Sequence, residues 1–154
     1  MDAATDTTVY DRTLAIDASP ETVWEFLVDP EKLMRWKGIN ADLETQPGGI
    51  FRCEVIPGHI ARGEYVEIDK PNKLVFTWGW DGSEDVPPGS STIVIELASD
   101  GDGTSLRFVH KVLPNAEALA SHAHGWDHYL PRLETAAGGG DPGEDPWVTQ
   151  APSM

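Results

Sequence analysis

Cysteine is almost absent from this 154-residue chain, since Cys53 stands alone. A single cysteine excludes an intramolecular disulfide and any metal or redox motif built on a cysteine pair. We interpret Cys53 as a small buried apolar residue. Basic residues are also few, because 11 lysines and arginines face 26 acidic residues and give a formal net charge of -15. This charge repels phosphate backbones and anionic lipid surfaces, so we expect neither nucleic acid nor a membrane as partner.

Long hydrophobic runs and common catalytic motifs are missing as well. No stretch of about 18 apolar residues occurs, and the first residues, MDAATDTTVYD, lack a basic start followed by an apolar run. These absences predict a soluble, cytoplasmic protein. The sequence also has no Gly-x-Ser-x-Gly motif and no glycine-rich loop between a strand and a helix. We therefore expect neither covalent catalysis nor nucleotide binding, and we predict no cofactor.

The beginning of the chain has the pattern of a strand followed by two short helices. Apolar and polar residues alternate over residues 9–16, which predicts the strand. Each helix start is marked by a polar residue followed by proline, first Ser19-Pro20 and then Asp29-Pro30. The side-chain oxygen of such a cap accepts a backbone N–H that the helix leaves unpaired, and proline has no N–H to leave unpaired.

The middle and the end of the chain predict a meander and a long helix. From residue 39 to residue 112, turn signals such as Pro47-Gly48-Gly49 separate short alternating runs, which indicates five or six antiparallel strands. A helix capped by Asn115 is expected to reach about Ala137, where three glycines end it. Residues 9–137 then form one domain, and residues 1–8 a flexible N-terminus. Residues 138–154 are rich in proline, glycine and acid, so we expect a loose tail, with docking of Trp147 onto the domain as the alternative.

The stretch HAHGWDHYLPRLE, residues 122–134, raises the question of a metal site. At helical spacing, Trp126, Leu130 and Leu133 form an apolar stripe, while His124 and His128 point to the opposite side. His122 lies on the flank of the stripe, beside Tyr129. The ligands therefore do not converge as a zinc site requires, and we interpret the stretch as a packing helix without a metal, bent at Pro131.

The order of these elements, together with several local motifs, resembles the START-like or SRPBCC superfamily. Within it, the chain is similar to the family of homologues of the activator of the heat-shock protein 90 ATPase. The resemblance covers about residues 9–137 and rests on the segments ASPETVW, DPEKLMRW, PGGIFR, GEYVEI, PNKL, GTSL and HGW. It implies an α+β helix-grip fold, in which a curved antiparallel sheet surrounds the long C-terminal helix and leaves a cavity between them. Members of the superfamily include ligand carriers, cyclases, stress-related proteins and chaperone cofactors, so the fold alone does not set the function.

Two features depart from the pattern of that family. Pro131 inside the closing helix is unusual, and its bend would change the width of the cavity mouth. The second short helix of the family often ends in two adjacent tryptophans, where this sequence has Trp36-Lys37. We therefore expect that one aromatic side chain facing the cavity is missing.

Alternation along each strand predicts which side chains face the implied cavity. Leu74, Phe76 and Trp78 share one face of their strand, and His110 is in phase with core residues of the last strand. The same reasoning puts Arg62 and Glu64 on the face of Val66 and Ile68, where they could form an ion pair on the cavity wall. The alternative is that both side chains lie near the open end of the strand and are exposed to solvent. The candidate ligand-binding residues are Phe51, Arg62, Glu64, Trp78, Trp80, Phe108, His110, Trp126 and Tyr129.

Three functions remain as hypotheses. The first is a protein that binds a small apolar, aromatic or lipid-like molecule in a closed hydrophobic cavity. The second is an interaction module that regulates a chaperone ATPase, with a filled cavity and a functional surface. The third, less favoured, is an enzyme of the cyclase or dehydratase kind, in which His110 and Glu64 transfer a proton and must reach one ligand together. A monomer and a homodimer are both compatible with the sequence.

Overall fold

Polar caps and alternating apolar residues determine where the elements of the fold begin and end. The computed structural model of the protein describes residues 9–150. In chain order the elements are β1 (Tyr10–Ile16), α1 (Pro20–Val28), α2 (Pro30–Leu33), β2 (Asn40–Leu43), β3 (Ile50–Ile56), β4 (His59–Asp69), β5 (Lys73–Trp78), β6 (Ser91–Asp100), β7 (Gly103–Lys111), α3 (Ala116–Ala137) and a 3-10 helix (Pro146–Val148).

The predicted caps are present at all three α-helices. Ser19 Oγ accepts the Thr22 N–H at 3.3 Å and Asp29 Oδ1 accepts the Glu31 N–H at 3.0 Å. Asn115 Oδ1 accepts the Ala118 N–H at 2.8 Å. Each oxygen satisfies an amide that the first helical turn cannot pair, which fixes the start of the helix.

The strands form one curved, seven-stranded sheet with the order β1-β7-β6-β5-β4-β3-β2. All neighbouring strands are antiparallel. The first strand, β1, forms one edge of the sheet and pairs with β7, so that Tyr10 lies opposite His110. The pairing of β4 with β5 shifts between Tyr65 and Glu67, where β4 carries a bulge. This arrangement confirms the α+β helix-grip fold.

The helix α3 packs its apolar stripe on the inner face of the sheet. Leu130 is 0% exposed, and Trp126 is 3% exposed with its ring centroid 4.5 Å from that of Phe108. The predicted helix-grip arrangement requires Trp126 and Phe108 to be buried, and both are. The helix continues through Pro131 to Ala137. Among residues 9–150, no helix is both long and apolar enough to cross a membrane.

The segment after α3 differs from the loose tail that its composition suggests. Trp147 stacks on His128 with ring centroids 3.7 Å apart, and Asp145 accepts hydrogen bonds from His128 and Tyr129. The docking alternative therefore holds for this part, because one large ring and one carboxylate find partners on α3. Residues 1–8, expected to be flexible, and residues 151–154 lie outside the described part of the chain.

Candidate binding cavity

An open cavity of about 550 Å³ lies at the N-terminal half of α3, between this helix and the sheet. The helix contributes Ser121, His122, Gly125, Trp126 and Tyr129, and the end of β5 and the residues after it contribute Trp78 and Trp80. The volume falls in the range of about 300–1,000 Å³ that is typical of small-molecule sites. The cavity is open to solvent, in contrast to the closed cavity predicted from the sequence.

His122 is a polar residue of the cavity wall that makes three hydrogen bonds. Its Nε2 accepts hydrogen bonds from the indole N–H groups of Trp80, at 3.0 Å, and of Trp78, at 3.3 Å. Its Nδ1 donates to the Ala118 carbonyl at 2.8 Å, which fixes the neutral tautomer. Burial lowers the pKa of His122, while the bond to the Ala118 carbonyl opposes the shift. His122 therefore orients two cavity tryptophans and has no hydrogen-bonding atom left for a ligand.

His110 is 0% exposed and lies behind the cavity wall, in phase with core residues as predicted. Its Nδ1 accepts the Trp126 indole N–H at 3.0 Å, so its Nε2 carries the proton that goes to Ser91 Oγ at 2.8 Å. Ser91 in turn donates to the Trp78 carbonyl. Burial holds the pKa of His110 well below its usual value, and the nearby charges of His122 and Lys37 act in the same direction. His110 is a satisfied, neutral group that positions Trp126.

The other aromatic candidates divide between the cavity and the core. Tyr129 lines the cavity and donates its hydroxyl to Asp145 Oδ2 at 2.7 Å. Burial and this hydrogen bond raise the pKa of Tyr129. Phe51 and Phe108 are 2% and 1% exposed and do not line the cavity. They support Trp78 and Trp126 from behind, with centroid distances of 5.7 Å and 4.5 Å.

Arg62 and Glu64 do not face the cavity, so their predicted orientation is wrong. On β4, Ala61 and Tyr65 point into the core, whereas Arg62 and Glu64 are exposed. The sequence pattern misled because the bulge between Tyr65 and Glu67 reverses the alternation, which leaves Val66 55% exposed although Ile68 packs on the core. Arg62 pairs with Asp81 at 3.3 Å on the surface instead.

The enzyme hypothesis fails on the same observation. It required His110 and Glu64 to approach one ligand from the same side of the sheet. His110 is fully buried and Glu64 is exposed on the opposite face. No proton can pass between them through a shared ligand, so the proposed proton transfer is ruled out.

Lys37 also lies at the cavity, although it is not among the candidate residues predicted from the sequence. It is 3% exposed and lines the cavity. Its Nζ lies within reach of four aromatic rings, at 4.8 Å from the Trp126 centroid, 4.9 Å from Trp78, 5.2 Å from Trp36 and 5.7 Å from Phe51. Such ring faces attract an ammonium group. The only available signal was the Trp36-Lys37 pair, where the family often has two tryptophans.

The backbone around Lys37 is held from both sides. The Trp36 indole donates to the Phe26 carbonyl at 2.9 Å, and Arg132 Nε donates to the Trp36 carbonyl at 3.1 Å. Gly38 has a φ of +97°, and a Cβ there would lie 2.6 Å from Cys53 Sγ. Only glycine fits this position, so the chain turns sharply and directs Lys37 inward.

Among residues 9–150, no carboxylate lies within ion-pairing distance of the Lys37 amine. The ion pairs among the described residues involve other basic side chains. Burial lowers the pKa of Lys37 to about 8, and the nearby Cys53 thiol is the one group that opposes the shift. The acidic residues that line the cavity, Asp81, Asp85 and Glu117, are exposed at its mouth. The cavity thus combines an acidic rim, an indole wall and a buried amine.

The histidines of residues 122–134 go to different places. His122 lies inside the cavity wall, while His124 and His128 face the other way and contact the Trp147 ring, at 5.1 Å and 3.7 Å. Within residues 9–150, no group of three or more His, Cys, Asp or Glu side chains is placed to hold a metal ion.

Comparison with known proteins gives relatives with the same fold. The solution structure of an AHSA1-like protein from Rhizobium etli is 45% identical and has a TM-score of 0.73, with 90% of this chain and 87% of that chain covered. The crystal structure of an HSP90 activator from Plasmodium falciparum is 25% identical with a TM-score of 0.69, covering 82% of this chain and 94% of that one.

A relative of known sequence is longer than this chain. An uncharacterized protein from Schizosaccharomyces pombe is 22% identical over 144 residues, which are 91% of this chain but 40% of that protein. The chain thus spans less than half the length of this relative. Residues 17–138 match the family described as Activator of Hsp90 ATPase homolog 1-like protein, and the chain therefore belongs to this family.

Proposed function

We propose that the protein binds a small, uncharged, apolar or aromatic molecule in the cavity beside α3. The observation that carries the proposal is the open space of about 550 Å³ whose wall is built from the indoles of Trp78, Trp80 and Trp126. Large flat rings supply most of the free energy in sites for such ligands. The hydrogen bonds of His122 in the cavity wall and of His110 behind it are used within the protein, so both side chains are fixed before a ligand arrives.

The acidic rim favours an uncharged ligand over an anion. Asp85 and Glu117 lie exposed at the cavity mouth, and the whole chain has a net charge of -15. This field repels anions on approach. Tyr129 and Trp147 form the side of the cavity nearest the tail, and the proposal places the ligand against them as well.

Gly125 offers a direct test, because it lines the cavity and a Cβ added there meets no atom within 4 Å. Gly125→Leu should fill the space without a clash, and it replaces glycine by a better helix former. The matched control is Ala120→Leu, which adds similar bulk at an exposed position of α3 outside the cavity.

The experiment is a thermal-shift and native mass-spectrometry screen against aromatic alcohols, fatty alcohols and polyketides. We expect at least one compound to raise the melting temperature of the native protein and of Ala120→Leu, and to bind Gly125→Leu at least about tenfold more weakly. If no compound binds, or if Gly125→Leu binds as well as the native protein does, the cavity is not a ligand site.

Regulation of a chaperone ATPase is the second candidate, favoured by the family and by the Plasmodium falciparum relative named as an HSP90 activator. The test is titration of the protein into a bacterial Hsp90 ATPase assay. Surface-mediated activation should be equal for the native protein and Gly125→Leu, because the substitution changes only the cavity. An unchanged ATPase rate would contradict this candidate. The cytoplasmic location and the choice between monomer and homodimer stay predictions from the sequence.

A further inference from the structure

The buried amine of Lys37 is not explained by packing or by pairing. A lysine is among the residues least often fully buried, and those that are buried usually have a counter-charge. Lys37 has aromatic rings around it and no carboxylate within ion-pairing distance among the described residues. Lys37 nevertheless lines the cavity. The cavity therefore presents an amine to whatever enters it.

We propose that Lys37 reacts reversibly with an aldehyde or ketone ligand in the cavity to form an imine. This inference rests on the proposed function, since the ligand must first enter the cavity. A carbonyl compound is uncharged and so passes the acidic rim, whereas a carboxylate, the other obvious partner of an ammonium group, is repelled there. The Trp78 and Trp126 rings, whose centroids lie 4.9 Å and 4.8 Å from Nζ, would hold an apolar or aromatic carbonyl compound against it.

The protonation of Lys37 supports the same chemistry. With a pKa of about 8, about one-tenth of the amine is unprotonated at pH 7, compared with about one part in 2,500 for an exposed lysine. Only the unprotonated amine is a nucleophile. Burial raises the pKa of the neighbouring Cys53 thiol, so this group stays protonated and does not compete.

The reaction balances without an oxidant or a reductant. The Nζ lone pair attacks the carbonyl carbon, and the carbonyl oxygen takes up a proton lost from nitrogen to give a carbinolamine. The carbinolamine then loses its hydroxyl group together with the remaining proton on nitrogen as water, which leaves through the open cavity, and a C=N bond remains. Hydrolysis reverses both steps.

The test is reductive trapping of the full chain with benzaldehyde and sodium cyanoborohydride at pH 7, followed by intact mass spectrometry and peptide mapping. Hydride from the reductant converts the imine into a stable benzyl amine. The four other lysines, Lys32, Lys70, Lys73 and Lys111, serve as internal controls. We expect a benzyl group on Lys37 with at least about tenfold preference over any other lysine.

Variants separate reaction from binding. Lys37→Met and Lys37→Arg should lose the label, since neither side chain forms an imine, and Lys37→Arg keeps the positive charge. Gly125→Leu should reduce labelling of Lys37 at least about tenfold, because it blocks the cavity. Circular dichroism spectra identical to that of the native protein show that each variant is folded.

The outcomes distinguish this inference from the proposed function. Benzyl alcohol has the same ring but no carbonyl group, so its binding tests the cavity alone. If benzyl alcohol binds and benzaldehyde leaves Lys37 unlabelled, the imine is wrong and the binding function stands. If neither compound binds and no label forms, both fail. Equal labelling of all five lysines, or undiminished labelling of Lys37 in Gly125→Leu, also overturns the inference.

Discussion

The inner and outer faces of α3 carry the same kinds of side chain in opposite environments. On the inner face, His122 is buried, neutral and paired with two indole N–H groups. On the outer face, His128 is partly exposed, bonded to the Asp145 carboxylate at 2.8 Å and stacked on Trp147. The polar atoms of the inner histidine are matched by neutral hydrogen-bond partners, two indole donors and one carbonyl acceptor, whereas the outer histidine lies beside a carboxylate.

This difference shows that the partners of polar side chains change from the exposed to the buried face of the helix. Water and a carboxylate are available to a polar group on the outer face, but on the inner face only rings and neutral dipoles are available. Lys37 is the exception on the inner side, because it places an amine where no carboxylate compensates it. A buried amine without a counter-charge lowers the stability of the fold, and such groups are often found at functional sites. This exception therefore points to the cavity as the functional part of the molecule.

Removal of a side chain should change the free energy of unfolding most differently on the two faces when the inner residue is a buried aromatic. Trp126→Ala deletes a buried ring and leaves His110 Nδ1 without its donor, so we expect a loss of about 3–5 kcal/mol in the free energy of unfolding. His124→Ala on the exposed face should change it by less than about 0.5 kcal/mol. Urea denaturation of both variants is the measurement, and similar losses would show that the faces do not differ.

Removing the amine of Lys37 should stabilise the protein. Its pKa is lowered from 10.5 to about 8, so the protonated form costs folding free energy below pH 8, and the cost disappears above about pH 10.5, where the unfolded chain is also neutral. At about 1.4 kcal/mol per pKa unit, the cost is about 3.5 kcal/mol at most.

We therefore expect Lys37→Met to gain about 2–3 kcal/mol in the free energy of unfolding at pH 7, since the surrounding rings offset part of the cost. Lys111→Met, at an exposed position, is the control and should change stability by less than about 0.5 kcal/mol. Urea denaturation at pH 7 would contradict the account if Lys37→Met were less stable than the native protein.

The inner histidines should make stability depend on pH. The pKa values of His110 and His122 are lowered in the folded protein, chiefly by burial. The unfolded chain therefore takes up protons first, and their contribution is complete above about pH 6.5 and is lost as pH falls towards the folded-state values, by up to about 1.4 kcal/mol per pH unit for each group.

A substitution on each face isolates this effect. His122 faces the Trp78 and Trp80 indoles, with His110 at 4.8 Å between ring centroids, and Lys37 acts on His110. His122→Gln should flatten the dependence of unfolding free energy on pH between about 5 and 6.5, while His124→Gln should leave it unchanged. Equal slopes for the two variants would refute the difference between the faces.

The smallest effect should come from the tail. Trp147→Ala removes the ring that stacks on His128, and because the ring is partly exposed we expect a loss of only about 1 kcal/mol. The residues after 140 should also become faster to cleave by protease. Thr149→Ala, which removes an exposed hydroxyl group, is the control. An unaltered cleavage rate in Trp147→Ala would mean that the stack does not hold the tail.

Most of the fold could be predicted because it depends on local chemistry. The caps at Ser19, Asp29 and Asn115 and the alternation along β3 and β7 act over a few residues, so they can be identified from the sequence. The candidate site was harder. Of the predicted residues, Trp78, Trp80, Trp126 and Tyr129 line the cavity. Arg62 and Glu64 point away from it, because a bulge changes the alternation without leaving a signal in composition.

The amino-acid sequence by itself determined the order of elements, the helix starts and the inward phase of His110, since each follows from neighbouring side chains and backbone hydrogen bonding. Tertiary structure alone decided that Lys37 points among four rings and that Trp147 returns to α3. These placements join residues far apart in the chain, and their energies exist only when the sheet, the helix and the glycine turn at residue 38 are assembled together.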